Sequence, residues 1–342
     1  MRFVGIMQNI IDTGKALYEA IKNTAPFRKH MNLILAGNNA NGKSRMIKNI
    51  LEQSLKEGNG DIYYIDSKNR VMTGGKGIQQ ATAKKLEDLS VKEIVQTRIT
   101  SGIYTVKDRF TEQDSGGAVV FDAVYNNMDK YQKLYSESLG IFIEPAQKTI
   151  NNGLGNIQTI CVNQKCELSE IASSEAARMR ILFEVDYAAS QDEVKVIIID
   201  EFDAYFSERT TIDFLRVLVE KYPQIRFVLV LHALYSIINI EDFDVAVIID
   251  RHDRDVLNND VEIYDGNNIS TVEQVDKVSY SILGYHRMAE SLTPSIWEGI
   301  VANVVDGIGL TEEHQRMLKE TDRNSLRAKD KILFDFVKRQ EG

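Results

Sequence analysis

Apolar positions along the chain alternate between a helical period and short unbroken runs. Residues 6–23 place Ile6, Ile10, Leu17 and Ile21 at near-helical spacing, which predicts a leading amphipathic helix. "MNLILAG" (31–37) predicts a short buried strand, and Met46, Ile47, Ile50, Leu51 and Leu55 then line one side of a helix over 43–57. "DIYYID" (61–66) predicts another strand. Between 67 and 160 the pattern is less regular, with glycine loops at 74–77 and 116–117 and helical stretches near 82–97 and 122–139. "IQTICV" (157–162) reads as a strand, and residues 173–189 as a helix with a serine cap and a glutamate in its first turn. Strands follow at "VKVIIID" (194–200), "IRFVLVLH" (225–232), "FDVAVIID" (243–250) and "VEIYD" (261–265), with a helix near 210–221. Strands alternating with helices predict an α/β fold with a mainly parallel sheet covered on both faces.

The period changes again near the C-terminus. Thr293-Pro294 is a good N-cap and N1 pair for a helix through Trp297, Ile300, Val301 and Val304. Thr311, Glu312 and Glu313 open a second helix, and "LRAKDKILFDFVKRQ" reads as a third. The expected division is therefore 1–292, carrying an irregular and helical insertion at about 67–160, and a helical segment over 293–342. No heptad pattern persists long enough for a coiled-coil arm.

Composition narrows the function classes. In 342 residues, 43% hydrophobic and 27% charged, a core is affordable and disorder is not expected. A formal charge of −9 removes the bulk positive field that favours nucleic acid, though a local basic groove stays open. No apolar run approaches the ~18 residues that span a bilayer. The N-terminus lacks a secretory h-region, so the expected location is cytoplasmic, with no membrane partner. Cys161 and Cys166 sit five positions apart with no nearby histidine or third cysteine, too few ligands for zinc, and free thiols are expected.

The chemistry begins at "LILAGNNANGKSRM". Gly37, Asn38, Asn39, Ala40, Asn41, Gly42, Lys43 and Ser44 have the form GxxxxGK[ST], between a predicted strand and a predicted helix. Glycines let successive backbone N–H groups curl around phosphate oxygens, and the helix N-terminus adds its dipole. Lys43 would reach the β- and γ-phosphates and Ser44 would hold Mg²⁺. The expected fold is thus a P-loop nucleotide-binding one. "KVIIIDEFDAYF" supplies a second piece: Asp200 emerges at the carboxyl end of a buried strand, where it can complete the metal shell, and Glu201 is placed to polarise water. A third is His232, ending another buried strand 32 residues later.

In this order and spacing, the three pieces resemble the ATP-binding-cassette ATPases, specifically the soluble branch related to chromosome-maintenance, DNA-repair and overcoming-lysogenization-defect ATPases. The resemblance covers about residues 31–265. It implies ATP and Mg²⁺ as cofactors, Glu201 as the activator of water and His232 as a γ-phosphate sensor. It also implies a signature turn that contacts nucleotide held by a second subunit, hence a homodimer or higher assembly. The best match is Ser173, Ser174 and Glu175; Ser174 stands where the family has glycine, "LSEI" from Leu168 is a competing register, and Ser-Ser-Glu is also an ordinary helix cap. Gln79 or Gln80 would be the coupling glutamine, and Asp203 either starts a dimer-contact loop or is a plain surface aspartate.

The function this implies is an ATPase that closes around ATP and drives or gates a separate effector protein, in settings such as DNA maintenance or antiviral defence. Two other readings stay open. An AAA+ type oligomeric motor would use Arg251 or Arg254 as trans-acting fingers. An ATP-gated scaffold with slow hydrolysis would recruit a partner through Ile332, Leu333, Phe336 and Val337, unless that helix packs on its own domain.

Overall fold

The computed structural model describes residues 8–37, 41–58, 60–67, 90–100, 116–149, 156–165, 171–249, 259–268, 300–301, 303–304, 310–320 and 334–338. Asn38–Ala40, Gln79, Gln80, Leu168, Arg251, Arg254, Thr293, Pro294, Trp297, Ile332 and Leu333 lie outside them. The chain divides into two compact units, Met1–Val275 and Asp276–Gly342.

In chain order the strands are β1 (Gln8–Asn9), β2 (Asn32–Gly37), β3 (Ile62–Asp66), β4 (Ile143–Thr149), β5 (Asn156–Val162), β6 (Val196–Asp200), β7 (Arg226–Leu231), β8 (Phe243–Ile249) and β9 (Asp260–Asp265). The helices are α1 (Ile10–Lys22), α2 (Lys43–Lys56), α3 (Val91–Thr100), α4 (Gly116–Asn126), α5 (Met128–Leu139), α6 (Ser173–Ala189), α7 (Glu208–Lys221) and α8 (Leu234–Ile238) in the first unit, with α9 (Glu312–Glu320) in the second.

The first unit is a mixed α/β structure. Its seven-stranded sheet has the order β1-β9-β8-β2-β7-β6-β3. Strands β8, β2, β7, β6 and β3 run parallel. β9 pairs antiparallel with β8, and β1 with β9. The apolar runs are unbroken because the interior strands are covered on both faces: Leu33 to Ala36, Val196 to Ile199 and Phe227 to Leu231 are all buried. Polar residues at the strand termini, Asp66, Asp200, Arg226 and Asp244 among them, gather along the two edges of the sheet and are themselves buried.

Arg226 fastens the amino-terminal edge. Its guanidinium donates to the carbonyls of Met31 (3.0 Å), Ala20 (3.0 Å) and Ala25 (2.8 Å) and lies 4.5 Å from the Phe27 ring centroid. Burial lowers its pKa to about 10, still cationic at neutral pH.

Several local expectations change. The leading element is not helix throughout, because Gln8–Asn9 add a short strand to β9 before α1 begins. The helix expected near 122–139 is two helices, α4 and α5, parted at Asn127, whose φ of −121° is not helical. "IQTICV" is a strand, but in a separate antiparallel hairpin with β4, an element with no clear hydropathy pattern. Cys161 is disulfide-bonded, which corrects the expectation of free thiols.

In the second unit Ile300, Leu318, Phe334 and Val337 form a buried core, with Val301, Val304 and Leu310 packed against it. Val337 is therefore taken up by its own unit, and of the scaffold residues that are described only Phe336 stays exposed.

Candidate functional site

The loop between β2 and α2 depends on backbone shapes that favour glycine. Gly37 has φ 147° and Gly42 has φ 105°. A Cβ at Gly37 would also overlap the Asn41 side chain. Asn41 Nδ2 donates to the Ile248 carbonyl (3.2 Å), and Asn259 Nδ2 donates to the Asn41 carbonyl (3.0 Å), which ties this half of the loop to the ends of β8 and β9. Lys43, almost fully buried, donates from Nζ to the Gly37 carbonyl at 2.7 Å. Burial lowers its pKa to about 8, opposed by the field of Asp200, Asp203 and Glu201. At neutral pH it is still mostly cationic, and an anion bound in the loop would favour the charged form further.

Opposite the loop, β6 delivers Asp200. Its Oδ2 accepts from Ser44 Oγ (3.4 Å) and from the Tyr64 hydroxyl (3.2 Å), and its Oδ1 accepts from the Glu201 N–H (3.1 Å). Asp66 ends β3 in direct register with Asp200, so two buried carboxylates lie side by side on adjacent strands. Burial first, and then Asp66, raise the Asp200 pKa to about 6, against the lowering effect of the Tyr64 hydrogen bond. Glu201 has φ 49°, left-handed for a non-glycine residue, a conformation that costs roughly 1–3 kcal/mol. Such strain recurs where a side chain must be aimed.

The Asp200 shift has a sign that can be tested without ligand. A carboxyl whose pKa is raised by folding binds protons more tightly in the native state. Its contribution therefore falls as pH rises from about 4 through about 6. The thermal stability of Asp200→Asn relative to wild type should increase across that window and level off above it. The full gain is on the order of 3 kcal/mol, from a shift of about two pKa units. A difference that is flat with pH would contradict the arrangement.

The third piece is brought in by topology. β7 lies between β2 and β6. His232, one residue beyond it, therefore leaves the sheet at the same carboxyl edge as Gly37 and Asp200. Asp203 sets this corner: its Oδ2 accepts the backbone N–H groups of His232 and Ala233, both at 2.8 Å. Asp203 is thus half-buried and hydrogen-bonded to the backbone, unlike a plain surface aspartate. It joins the acidic turn to the histidine.

Ser173, Ser174 and Glu175 belong to another element. They occupy the first turn of α6, with Ser173 exposed. The expected serine cap is corrected: the N-cap is Ala172, and no side chain caps the helix. Beyond that turn α6 is buried on nearly all sides, which the broadly apolar 176–188 segment accounts for. Glu184 on α6 meets Arg98 of α3 at 3.5 Å, both fully buried. Arg98 also donates to the Tyr64 carbonyl and lies 5.0 Å from the Tyr63 ring centroid.

Sequence reading missed Tyr64, Asp66 and the role of Asp203. A signal for Asp66 existed: "YYID" and "IIID" both end a buried run in Ile-Asp, as expected of neighbouring parallel strands. Nothing in the sequence pairs Arg98 with Glu184, 86 positions apart.

No family model matches the chain, and no curated protein does. Among solved structures, it is similar to the Smc head domain with a coiled coil and joint from Pyrococcus yayanosii, at 11% identity and a TM-score of 0.29, over 55% of this chain and 34% of that one. It is also similar to the Pyrococcus furiosus Smc head domain with an extended coiled coil, bound to the C-terminal domain of ScpA. That match has 8% identity and a TM-score of 0.29, over 78% of this chain and 59% of the other. The chain thus spans about a third of the length of the first and about three fifths of the second. Likeness this slight supports no argument about function. What stands on the chain's own coordinates is a mixed α/β fold with a mostly parallel sheet, consistent with the P-loop kind.

Proposed function

We propose that the chain binds and hydrolyses ATP with Mg²⁺, closes as a dimer around the nucleotide, and thereby drives or gates a separate effector protein. The observation that carries this reading is the convergence of Lys43, Ser44, Asp200, Glu201 and His232 at one sheet edge, because β7 is inserted between β2 and β6. Ser44 Oγ and Asp200 Oδ2, 3.4 Å apart, are the hard oxygen donors that Mg²⁺ takes, and a buried carboxylate with a raised pKa gains from a cation beside it. Bound there, the ion would neutralise charge on the phosphate oxygens.

The protein's own groups then have separate tasks. Lys43 exchanges its bond to the Gly37 carbonyl for a phosphate oxygen. Glu201, held by its strained backbone, takes a proton from the attacking water as general base. Asp203 fixes the end of β7 so that His232 is placed to contact the γ-phosphate. Ser173, exposed at the start of α6, and the half-buried Ser174 and Glu175 beside it would meet nucleotide held by a second copy. The site lies in the cytoplasm on this reading, and the effector is another chain.

The test is molecular mass by light scattering for Glu201→Gln, with and without ATP–Mg²⁺, beside the wild-type hydrolysis rate across protein concentrations. An ATP-trapped dimer, with specific activity rising with concentration, is expected. An ATP-bound monomer would sink the composite site, and a hexamer would favour the AAA+ reading.

A further inference from the structure

A second cluster of chemistry-bearing side chains sits at the opposite edge of the sheet, where the nucleotide reading gives it no task. Asp244, the second residue of β8, is in antiparallel register with Asp265, the last of β9. Directly opposed carboxylates on adjacent strands repel, so the fold must compensate them. His30, just before β2, completes the group. One ligand atom from each of His30, Asp244 and Asp265 lies within 4.8 Å of the others.

The hydrogen bonds leave a specific opening. Asp244 Oδ2 accepts three backbone N–H groups, from Arg28 (2.6 Å), Lys29 (2.8 Å) and His30 (2.9 Å). Its Oδ1 is buried and has no hydrogen-bond partner among the described residues. On Asp265, Oδ2 accepts from Lys29 Nζ at 2.8 Å, while Oδ1 meets His30 Nε2 at 2.9 Å and the Asn267 N–H at 3.2 Å. An unpaired carboxylate oxygen in a fully buried side chain carries an uncompensated desolvation cost. A cation would remove that cost, and His30 Nε2 would exchange its hydrogen bond to Asp265 Oδ1 for the ion.

We propose that His30 Nε2, Asp244 and Asp265 bind one divalent transition-metal ion of the zinc class, as a structural clamp holding the 28–30 turn to β8 and β9. One imidazole and two carboxylates suit such an ion better than Mg²⁺ or Ca²⁺, which favour oxygen alone. Tetrahedral Zn²⁺ sets ligands about 3.3 Å apart, from bond lengths of about 2.0–2.2 Å, so closure needs side-chain movements of about 1 Å. Three protein ligands leave the fourth position to water. Lys29, whose side chain is more than half exposed, pairs with Asp265 Oδ2, so the ion would take Oδ1.

The test uses the full chain freed of metal by chelation, with no nucleotide, titrated with Zn²⁺ by calorimetry and followed by thermal unfolding. One equivalent should bind and raise Tm. His30→Gln keeps a hydrogen-bond donor toward Asp265 but removes the imidazole. It should weaken binding at least about a hundredfold and abolish the Tm shift, with circular dichroism unchanged. Lys29→Ala should retain the shift, and so should Asp200→Asn, which alters the nucleotide edge. No Zn²⁺-dependent shift in the wild type, or one that survives His30→Gln, overturns the proposal, as does a shift lost only in Asp200→Asn. If His30→Gln fails to fold, Asp265→Asn replaces it, and insensitivity of the wild-type Tm to Zn²⁺ still decides against the site.

Discussion

Replacing Glu201 by Gln should lower steady-state ATP hydrolysis by about 10²–10⁴-fold, the range a positioned general base contributes, while leaving ATP affinity within a few-fold of wild type. Two features of the structure support this. Glu201 follows the buried Asp200 directly at the carboxyl edge, and its backbone adopts φ 49°, uncommon for a residue other than glycine. The amide keeps the size of the side chain and removes only its basicity. Single-turnover hydrolysis beside nucleotide binding by fluorescence titration separates the effects. Loss of binding together with hydrolysis would mean that Glu201 shapes the pocket and does not activate water. Unchanged hydrolysis would remove it from the chemistry, and Asp66, the other carboxylate beside Asp200, would become the candidate base.

The second large effect is expected at a distance from the loop. Arg98→Met or Glu184→Leu alone should each destabilise the fold by about 3–5 kcal/mol, because each leaves the partner charge buried without its counterion. The double variant should recover most of that loss, since a buried ion pair and a well-packed apolar pair are often close in stability. Urea midpoints at constant m-value supply the measurement. Single variants costing under about 1 kcal/mol would mean that water reaches the pair. A functional consequence follows through Tyr64. Its carbonyl accepts from Arg98, and its hydroxyl holds Asp200 Oδ2. Arg98→Met should therefore impair hydrolysis even in the fraction that folds, whereas a purely structural role predicts full specific activity in that fraction.

These predictions draw on different levels of information. The strands β2, β6 and β7 were legible because each is an unbroken apolar run ending in a polar residue, a pattern that covered parallel strands impose. α6 matched its expected bounds, although its cap did not, since a serine at N1 looks the same in sequence as a serine at N-cap. β4, "IEPAQKT", carries a proline and no clean alternation, and it is a strand because β5 pairs with it along its full length. β1 is two residues long and exists only through its contact with β9.

The sequence by itself determined the local chemistry: glycines where the loop between β2 and α2 needs positive φ, a lysine and serine at the start of α2, and acidic and histidine residues at strand ends. Those follow from steric limits and from hydrophobic runs, which act over a few neighbouring positions. The order of the strands was decided only by tertiary structure, because it depends on which runs find each other across the chain. That order puts His232 between the loop and the acidic pair, sets Asp66 beside Asp200, gives Asp203 its two N–H donors, and brings His30, Asp244 and Asp265 together at the far edge. Each is a contact between residues distant in sequence, fixed by packing and hydrogen bonding that no local pattern encodes.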